Sequence, residues 1–375
     1  MRLHMKKRQY RGLFLFLLLA LLLTLPVSAV TMEDMIDHQS DALDTRGLEG
    51  AAGEYSPGQT LSPDISLDQG LQNIIDTGGE QVFGIVRKAV RSGILLLVIV
   101  LLCGLADGLY GGLGKSGLDI VVVAGALAVA AVAVADVNSL IGLGRKALSD
   151  IEMFSKVLLP TITAAAAAGG SPGGAIARQV ATMLFSDVLL TLISRLLLPL
   201  VYAYVAACTA YAALGNEGLK RISSTLKWAV TLILTSVLLV FVAYLTVSGV
   251  IAGTTDAVTV KAAKFTVSSV VPVVGGILAD AAETVLAGAG ILRNAVGVFG
   301  MLTVLGMCVA PFLQLGIHYL VYKAAAALTA TVSSGRVAGL IDSIGGAFGL
   351  VLGMTGASAL LMLISMVSAI SVVTV

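Results

Sequence analysis

Residues 228–251 read WAVTLILTSVLLVFVAYLTVSGVI, a run of 24 residues without one charged side chain. A helix of about 20 such residues is long enough to cross the hydrocarbon of a bilayer. The whole chain of 375 residues shares this character, with 57% hydrophobic and 12% charged residues and a mean hydropathy of +0.98. A water-soluble fold needs roughly a quarter of its residues charged. The composition therefore predicts a polytopic membrane protein and excludes a cytosolic enzyme.

Six other apolar runs have a similar length. Because backbone polar groups cannot stay unpaired in lipid, each run predicts a helix, and the fold class is all-α with about seven transmembrane helices. The predicted spans are Ser92–Leu113, Leu118–Leu140, Ile151–Ala168, Leu184–Ala213, Trp228–Ile251, Ile291–Leu313 and Gly345–Val373.

The N-terminus has the three parts of a secretory signal. A basic stretch ends at Arg11, an apolar run covers Leu13–Leu25, and small residues lead up to Ala29. We predict a signal peptide over residues 1–29 that is cleaved after Ala29, with an uncleaved first anchor as the alternative.

The next part of the chain is acidic. Residues 30–80 carry eleven acidic residues and one basic residue. The stretch is poor in apolar residues, which is typical of a segment without its own core. We predict a polar, extracytoplasmic segment over residues 30–85, extended or weakly helical, followed by a membrane domain over residues 86–375.

The basic residues conflict with seven spans. With the mature N-terminus outside, the outer loops hold eleven basic residues and the inner loops five. This is the reverse of the usual excess on the cytoplasmic side. One predicted span is therefore re-entrant or split, and the loop sides stay open. The outer set includes Lys220, Arg221, Lys227, Lys323 and Arg336.

Residues 252–290 are a semi-polar interruption of the apolar runs, broken at Pro272 and at Gly275-Gly276. A helix, a break and a second helix at membrane depth line the substrate paths of transporters, which predicts a re-entrant hairpin. An amphipathic pair lying on the membrane surface is the alternative. The candidate functional residues of this hairpin are Lys261, Lys264, Pro272, Gly275, Gly276, Asp280, Glu283 and Arg293.

Two opposite charges fall inside the fourth run. Arg195 lies deep in the run, and Asp187 precedes it by two helical turns on roughly the same face. Charges at membrane depth are costly and usually pair with each other or line a wet path. Both a structural ion pair and a role in transport stay open for these residues. Other ionisable residues in or beside apolar runs are Asp107, Asp136, Asp280, Glu283 and Arg293.

Glycines at a spacing of four residues occur in two spans. On a helix this spacing makes a smooth face that another backbone can approach closely. The pattern predicts helix packing, within the chain or between copies in a homo-oligomer. The glycines are Gly104, Gly108, Gly112, Gly345, Gly349 and Gly353.

Catalytic and cofactor motifs are missing from the sequence. It contains no HExxH, no GxSxG and no CxxC. The segment 112–116 (GLGKS) resembles a phosphate loop, but Leu109 stands where that loop requires its first glycine. No basic cluster with interleaved aromatic residues indicates nucleic-acid binding. We therefore predict no enzyme activity, no cofactor, no metal and no nucleic acid.

One region resembles a known family. Its matching pieces are TVKAAKF (259–265), VPVVGG (271–276), DAAETV (280–285), LRNAVG (292–297) and YKAAA (322–326). They closely resemble the central region of stage III sporulation protein AE, a family of membrane proteins of endospore-forming bacteria. The resemblance is specific from about residue 249 to 327, and the order of signal, polar segment and apolar remainder fits the same family.

The resemblance implies a function that composition alone does not supply. Members of the family belong to the mother-cell part of a secretion-like channel that joins the mother cell to the engulfed forespore. The implied location is the mother-cell (outer forespore) membrane, and the implied role is support of late forespore gene expression. The implied partners are other products of the stage III sporulation A operon, namely an ATPase, ring-forming proteins and small membrane components, and indirectly a forespore channel protein.

Two other classes of function compete with this one. A free-standing secondary transporter or permease would act in vegetative cells without partners. A purely structural membrane scaffold would tolerate changes of charge in the hairpin as long as the complex still assembles.

Overall fold

The computed structural model describes residues 32–55, 61–62, 64–110, 115–168, 185, 188–270, 275–332 and 335–371. Within residues 244–286 the description covers the backbone and not the side chains. In this part of the chain the regular structure is helical throughout. The helices are α1 (Met32–Ala42), α2 (Thr45–Ala52), α3 (Leu67–Tyr110), α4 (Lys115–Ala168), α5 (Leu198–Leu214), α6 (Glu217–Val270), α7 (Gly275–Thr329) and α8 (Gly335–Ser371). A 3₁₀ turn, Gly53–Tyr55, follows α2, and a π-helical turn, Ile193–Leu197, leads into α5.

Six of the described helices are long and apolar enough to cross a membrane. This finding confirms the predicted class, a polytopic helical membrane protein, but it does not confirm the count of seven spans. The difference lies in α4, which is continuous over 54 residues. The predicted spans Leu118–Leu140 and Ile151–Ala168 are parts of this one helix.

The continuity of α4 has a packing reason. The stretch between Leu140 and Ile151 is rich in glycine and charge, which favoured a loop in the sequence. In the structure its Leu148 is buried with Leu140 and Ile151 in one apolar face. Gly144 turns toward α8, where a Cβ on it would lie 2.5 Å from Val351 Cγ1. The missing side chain lets the two helices approach closely, so the burial of one face keeps the segment helical.

Several helices are longer than a membrane is thick. At 1.5 Å per residue, the 54 residues of α4 and of α6 and the 55 residues of α7 each extend for about 80 Å. The hydrocarbon of a bilayer is only about 30 Å thick. Each of these helices is therefore much longer than one straight crossing of the hydrocarbon requires.

The turn between α5 and α6, the residues that follow α7 and the C-terminal end of α3 lie at one end of the bundle. Gly215, between α5 and α6, lies beside Arg336, the second residue of α8. A Cβ on Gly104, near the end of α3, would lie 3.2 Å from the carbonyl oxygen of Val332, which follows α7. We call this the loop end.

Helix α3 runs parallel to α7, and its first half lies far from the loop end. Gly70 lies against Leu302 and Gly78 against Val309, with 2.9 Å between a Cβ built on Gly78 and Val309 Cγ1. These glycines let α3 pack closely on α7. The neighbouring polar residues of α3, such as Asn73 and Asp76, therefore lie next to α7.

Residues 32–55, which we call the N-terminal cap, form two short helices and a 3₁₀ turn that pack on the bundle. In α2 the side chains of Leu48 and Ala52 are fully buried and belong to the main apolar core. Asp44 caps this helix, since its side chain accepts a hydrogen bond from the backbone nitrogen of Gly47 at 3.2 Å. The spacing i, i+4 places Leu48 and Ala52 on one face, which is enough to dock a helix of eight residues.

Candidate functional site

A cavity of about 700 Å³ lies between α3, α4 and α7, beneath the last residue of the N-terminal cap. One wall is polar and the opposite wall is apolar. Its lining consists of Tyr55, Asn73, Ile74, Asp76, Thr77, Glu80, Gln81, Leu143, Lys146, Ala147, Gly306, Met307, Val309, Ala310 and Pro311.

Helix α3 supplies the polar wall. Asn73, Asp76, Thr77 and Glu80 follow the spacing i, i+3, i+4, i+7 and therefore share one helix face. The Thr77 hydroxyl donates to the backbone carbonyl of Asn73 at 2.8 Å. The carboxylates of Asp76 and Glu80 thus lie on the same side of the cavity, where their charges attract a polar or cationic group.

Helix α7 supplies the apolar wall, and a proline interrupts its backbone hydrogen bonds there. Pro311 lies inside this helix and has no N–H to donate to the carbonyl of Met307, four residues earlier. Both residues line the cavity, together with Val309 and Ala310. The wall therefore combines apolar side chains with a backbone carbonyl that lacks its usual helical donor.

Tyr55 lines the cavity on the side of the cap. Its hydroxyl donates to Asp150 Oδ2 of α4 at 2.8 Å. Its backbone carbonyl lies on Gly306 of α7, where a Cβ would be only 3.1 Å from that oxygen. The chain that follows the cap braces it as well, since the backbone nitrogen of Leu61 donates to Glu49 Oε1 at 2.6 Å. One residue of the cap thus connects two walls of the cavity.

A second polar contact lies in the core of the bundle and joins α4, α7 and α8. The Tyr322 hydroxyl donates to Asp136 Oδ2 at 2.8 Å, and both side chains are buried. The Tyr322 ring meets the ring of Phe348 edge-on, with 5.0 Å between centroids. His318 lies one turn before Tyr322, with its Nδ1 2.7 Å from the carbonyl oxygen of Gln314. Asp136 is thus satisfied by a tyrosine instead of an ion pair.

Comparison with known proteins gives the family. The sequence profile of the family described as Stage III sporulation protein AE matches residues 62–373. The chain belongs to this family. Stage III sporulation protein AE of Bacillus subtilis (strain 168) is 26% identical over 200 residues, which are 53% of this chain and 50% of that protein. The alignment therefore spans about half the length of this curated relative. No solved structure matches the chain significantly.

The resemblance found in the sequence is thus confirmed, and the AE family is a family of sporulation proteins. The match to the AE family includes the cavity walls on α3, α4 and α7 and the contact between Asp136 and Tyr322. Tyr55 and the rest of the N-terminal cap precede the matched residues.

The candidate hairpin of this AE family member lies on α6 and α7. Lys261 and Lys264 belong to the last third of α6, while Asp280 and Glu283 belong to the first turns of α7, which begins at Gly275-Gly276. The side chains of these four charged residues lie outside the description, and so does Pro272 itself. Whether the hairpin is re-entrant or interfacial stays a prediction.

Arg293 is the one candidate of the hairpin whose side chain is described. It is buried in α7, with 6% of its surface exposed. It lies well before Gly306 in α7 and does not line the cavity. The structure therefore separates Arg293 from the cavity.

The structure describes only one of the two candidate charges of the fourth run. Arg195 lies in the π-helical turn before α5 and is exposed. Asp187 lies outside the description.

The two sets of glycines differ in their surroundings. In α8 a Cβ on Gly345 would lie 3.0 Å from Tyr322 Cβ, and one on Gly349 would lie 3.1 Å from the Tyr319 ring. Gly353 has Leu234 of α6 at 3.8 Å. Of the predicted set in α3, Gly104 has a close neighbour, whereas nothing lies within 4 Å of a Cβ on Gly108. Gly112 lies outside the description.

Sequence reasoning missed the cavity, because its residues come from segments far apart in the chain. It also missed Tyr322 as the partner of Asp136. A signal for that contact was present: a carboxyl group in an apolar run needs a polar partner, and the aromatic residues of the other spans could supply one.

Proposed function

We propose that this chain is the mother-cell membrane component of the secretion-like channel that links mother cell and forespore, and that late forespore gene expression needs it. The observation that carries the proposal is the AE family match over residues 62–373 of a chain with six membrane-length helices. The proposed partners are the ATPase, the ring-forming proteins and the small membrane components of the same operon, and indirectly the forespore channel protein.

A single crossing by α4 changes the distribution of basic residues only slightly. The seven-span prediction counted two crossings in the part of the chain that forms α4. Because α4 is counted here as one crossing, every segment after it lies on the opposite side of the membrane from the side expected with seven spans. With the N-terminus outside, the cytoplasmic side then receives five basic residues that the seven-span arrangement placed outside. These five residues are Lys220, Arg221, Lys227, Lys323 and Arg336. Four other basic residues move to the outer side, namely Arg178, Lys261, Lys264 and Arg293. The totals become ten outside and six inside, which is still the reverse of the positive-inside rule.

The position of the cavity fits a platform for partners outside the mother cell. Its residues Gly306–Pro311 lie 18 or more residues before Thr329, the last residue of α7. At 1.5 Å per residue, this part of the cavity is about 27 Å or more from the loop end. If the loop end is cytoplasmic, the cavity and the N-terminal cap lie near the other membrane face, toward the forespore. Helices longer than the membrane is thick provide a surface there for ring-forming partners.

Deletion of the gene in its host tests the proposal. We expect sporulation to stop after engulfment, with a silent late forespore-specific reporter, and complementation to restore both. Crosslinking in sporulating cells should recover the operon's other membrane products with a tagged chain. Normal spores and an active reporter in the deletion strain would contradict the proposed function.

The permease alternative has one observation in its favour, the mixed polar and apolar cavity beside the proline in α7. It predicts substrate uptake by vegetative cells that express this chain without its partners. A sporulation-only phenotype with no uptake would exclude it.

Neutralising the two lysines of the candidate hairpin is expected to reduce the spore yield by at least an order of magnitude. We propose that Lys261→Gln with Lys264→Gln removes charges that line or anchor the functional element, while the protein still accumulates in the membrane. The matched control is Lys156→Gln with Lys220→Gln. These two lysines are exposed and form surface ion pairs, whose contribution to stability is small. An unchanged spore yield in the hairpin variant would refute the role of these charges and would favour the scaffold.

A further inference from the structure

We propose that a groove over α8, between Lys227 of α6 and Lys323 of α7, binds the phosphate headgroup of an anionic phospholipid. Lys227 supplies the positive charge that attracts the phosphate, and the hydroxyl of Tyr204 supplies a polar neighbour. The groove is separate from the cavity beside Tyr55, and its binding of lipid does not depend on the sporulation partners.

Polar groups from four helices line the groove. Tyr204 of α5 and Lys227 of α6 meet over Gly346 of α8, where a Cβ would lie 3.3 Å from the tyrosine Oη and 3.6 Å from the lysine Nζ. One turn earlier in α8, Asp342 Oδ1 lies 2.6 Å from Nζ of Lys323 in α7. These contacts place both lysines on the same level of the bundle, on either side of α8.

The groove has an excess of one positive charge. Lys323 is paired with Asp342, whereas Lys227 is exposed and forms no ion pair with any described residue. Tyr204 is 4% exposed, and its hydroxyl lies beside the Ser343 side chain. One unpaired ammonium group next to a fixed hydroxyl matches a phosphodiester, which has one negative charge and accepts hydrogen bonds from both groups.

The groove lies where the uncharged segments of three helices begin or end. Lys227 directly precedes such a segment in α6, Lys323 directly follows one in α7, and Asp342 directly precedes one in α8. The segments, which contain no Asp, Glu, Lys or Arg, are residues 228–251, 294–322 and 343–371. Because charges are costly at membrane depth, this common level marks a boundary between hydrocarbon and water, where lipid headgroups lie.

The surface beside Lys227 suits the acyl chains of the same lipid. Trp228 is 63% exposed, and tryptophan is enriched at membrane–water interfaces. Leu232 and Leu239 are also exposed and follow Trp228 at i+4 and i+11, so the three side chains share one face of α6. A basic pocket between membrane helices is a typical headgroup site. The apolar face next to it favours a phospholipid over a free anion.

Trp228 is the only tryptophan of the chain and therefore reports which lipid lies beside Lys227. The test uses the purified full-length protein in nanodiscs of phosphatidylcholine with a minor, fixed fraction of phosphatidylglycerol. Brominated acyl chains, which quench tryptophan fluorescence, are placed on one lipid or on the other. We expect a preference for phosphatidylglycerol at Trp228 of about fivefold, the contribution of one basic residue at a membrane surface. Equal quenching by the two lipids at equal mole fraction would overturn the proposal.

Variants of Lys227 separate a site from general attraction to a basic surface. Lys227→Gln should abolish the preference, and Lys227→Arg should keep it. The matched control is Lys220→Gln, which loses the same charge two turns away on the same face of α6, where Lys220 pairs with Glu217. An equal fall in the Lys227→Gln and Lys220→Gln variants would indicate diffuse attraction and would refute the site. An unchanged preference in Lys227→Gln would refute it as well.

Inorganic phosphate distinguishes a lipid headgroup from a free anion. We expect the preference at Trp228 to stay the same when phosphate replaces chloride at constant ionic strength, because screening by salt is then unchanged. Loss of the preference in phosphate would assign the groove to a free anion and would contradict the lipid site.

Discussion

Gly345→Leu is expected to destabilise the protein by about 3 kcal/mol or more, because it forces α7 and α8 apart. A Cβ at this position would lie 3.0 Å from Tyr322 Cβ and 3.6 Å from the backbone nitrogen of Lys323. The first contact is with a fully buried residue and the second is with a helix backbone, so neither neighbour can move aside cheaply. Leucine adds three more carbon atoms beyond that Cβ.

The matched control is Gly339→Leu in the same helix. Nothing lies within 4 Å of a Cβ on Gly339, which is exposed. We expect thermal unfolding of the detergent-solubilised protein to show a large loss of stability for Gly345→Leu and little change for Gly339→Leu. Equal stability of the two variants would contradict the close packing of α7 on α8.

Tyr322→Phe is expected to have the second largest effect. The change removes the hydroxyl that donates to Asp136 and leaves the carboxyl group of Asp136 buried without that donor. A buried polar group that loses its partner costs about 1–3 kcal/mol. The ring itself stays in its edge-on contact with Phe348, so the loss measures the hydrogen bond and not the packing.

Two comparisons separate this effect from a general perturbation. Tyr319→Phe removes a hydroxyl from a neighbouring ring that lies beside Lys323, and we expect it to change the melting temperature little. Asp136→Leu combined with Tyr322→Phe replaces both polar partners by apolar groups of similar shape and should recover most of the stability. A melting temperature unchanged by Tyr322→Phe alone would show that the contact does not stabilise the bundle.

The membrane class could be read from the sequence because it depends on composition over whole segments. The run at residues 228–251 needs no knowledge of its neighbours, since a helix satisfies its own backbone wherever it lies in lipid. The pieces between residues 259 and 326 likewise carried the family resemblance without any structure.

The candidate site could not be predicted in the same way. Tyr55, Asp150 and Gly306 are far apart in the sequence, and none of them stands in a recognisable motif. Their meeting depends on how α4 and α7 pack. Local hydropathy also failed at residues 141–150, because a helix is kept there by the burial of one face against α8.

The sequence by itself determined that this protein is a helical membrane protein of the AE family, because hydropathy and short motifs are properties of contiguous residues. Only the tertiary structure decided that α4 is one helix, that Tyr322 satisfies Asp136, and that Tyr55 meets Asp150 and Gly306 beside a polar cavity. These features depend on contacts between residues distant in the chain, such as residues 136 and 322. Such contacts form only when the packing of whole helices brings the side chains together.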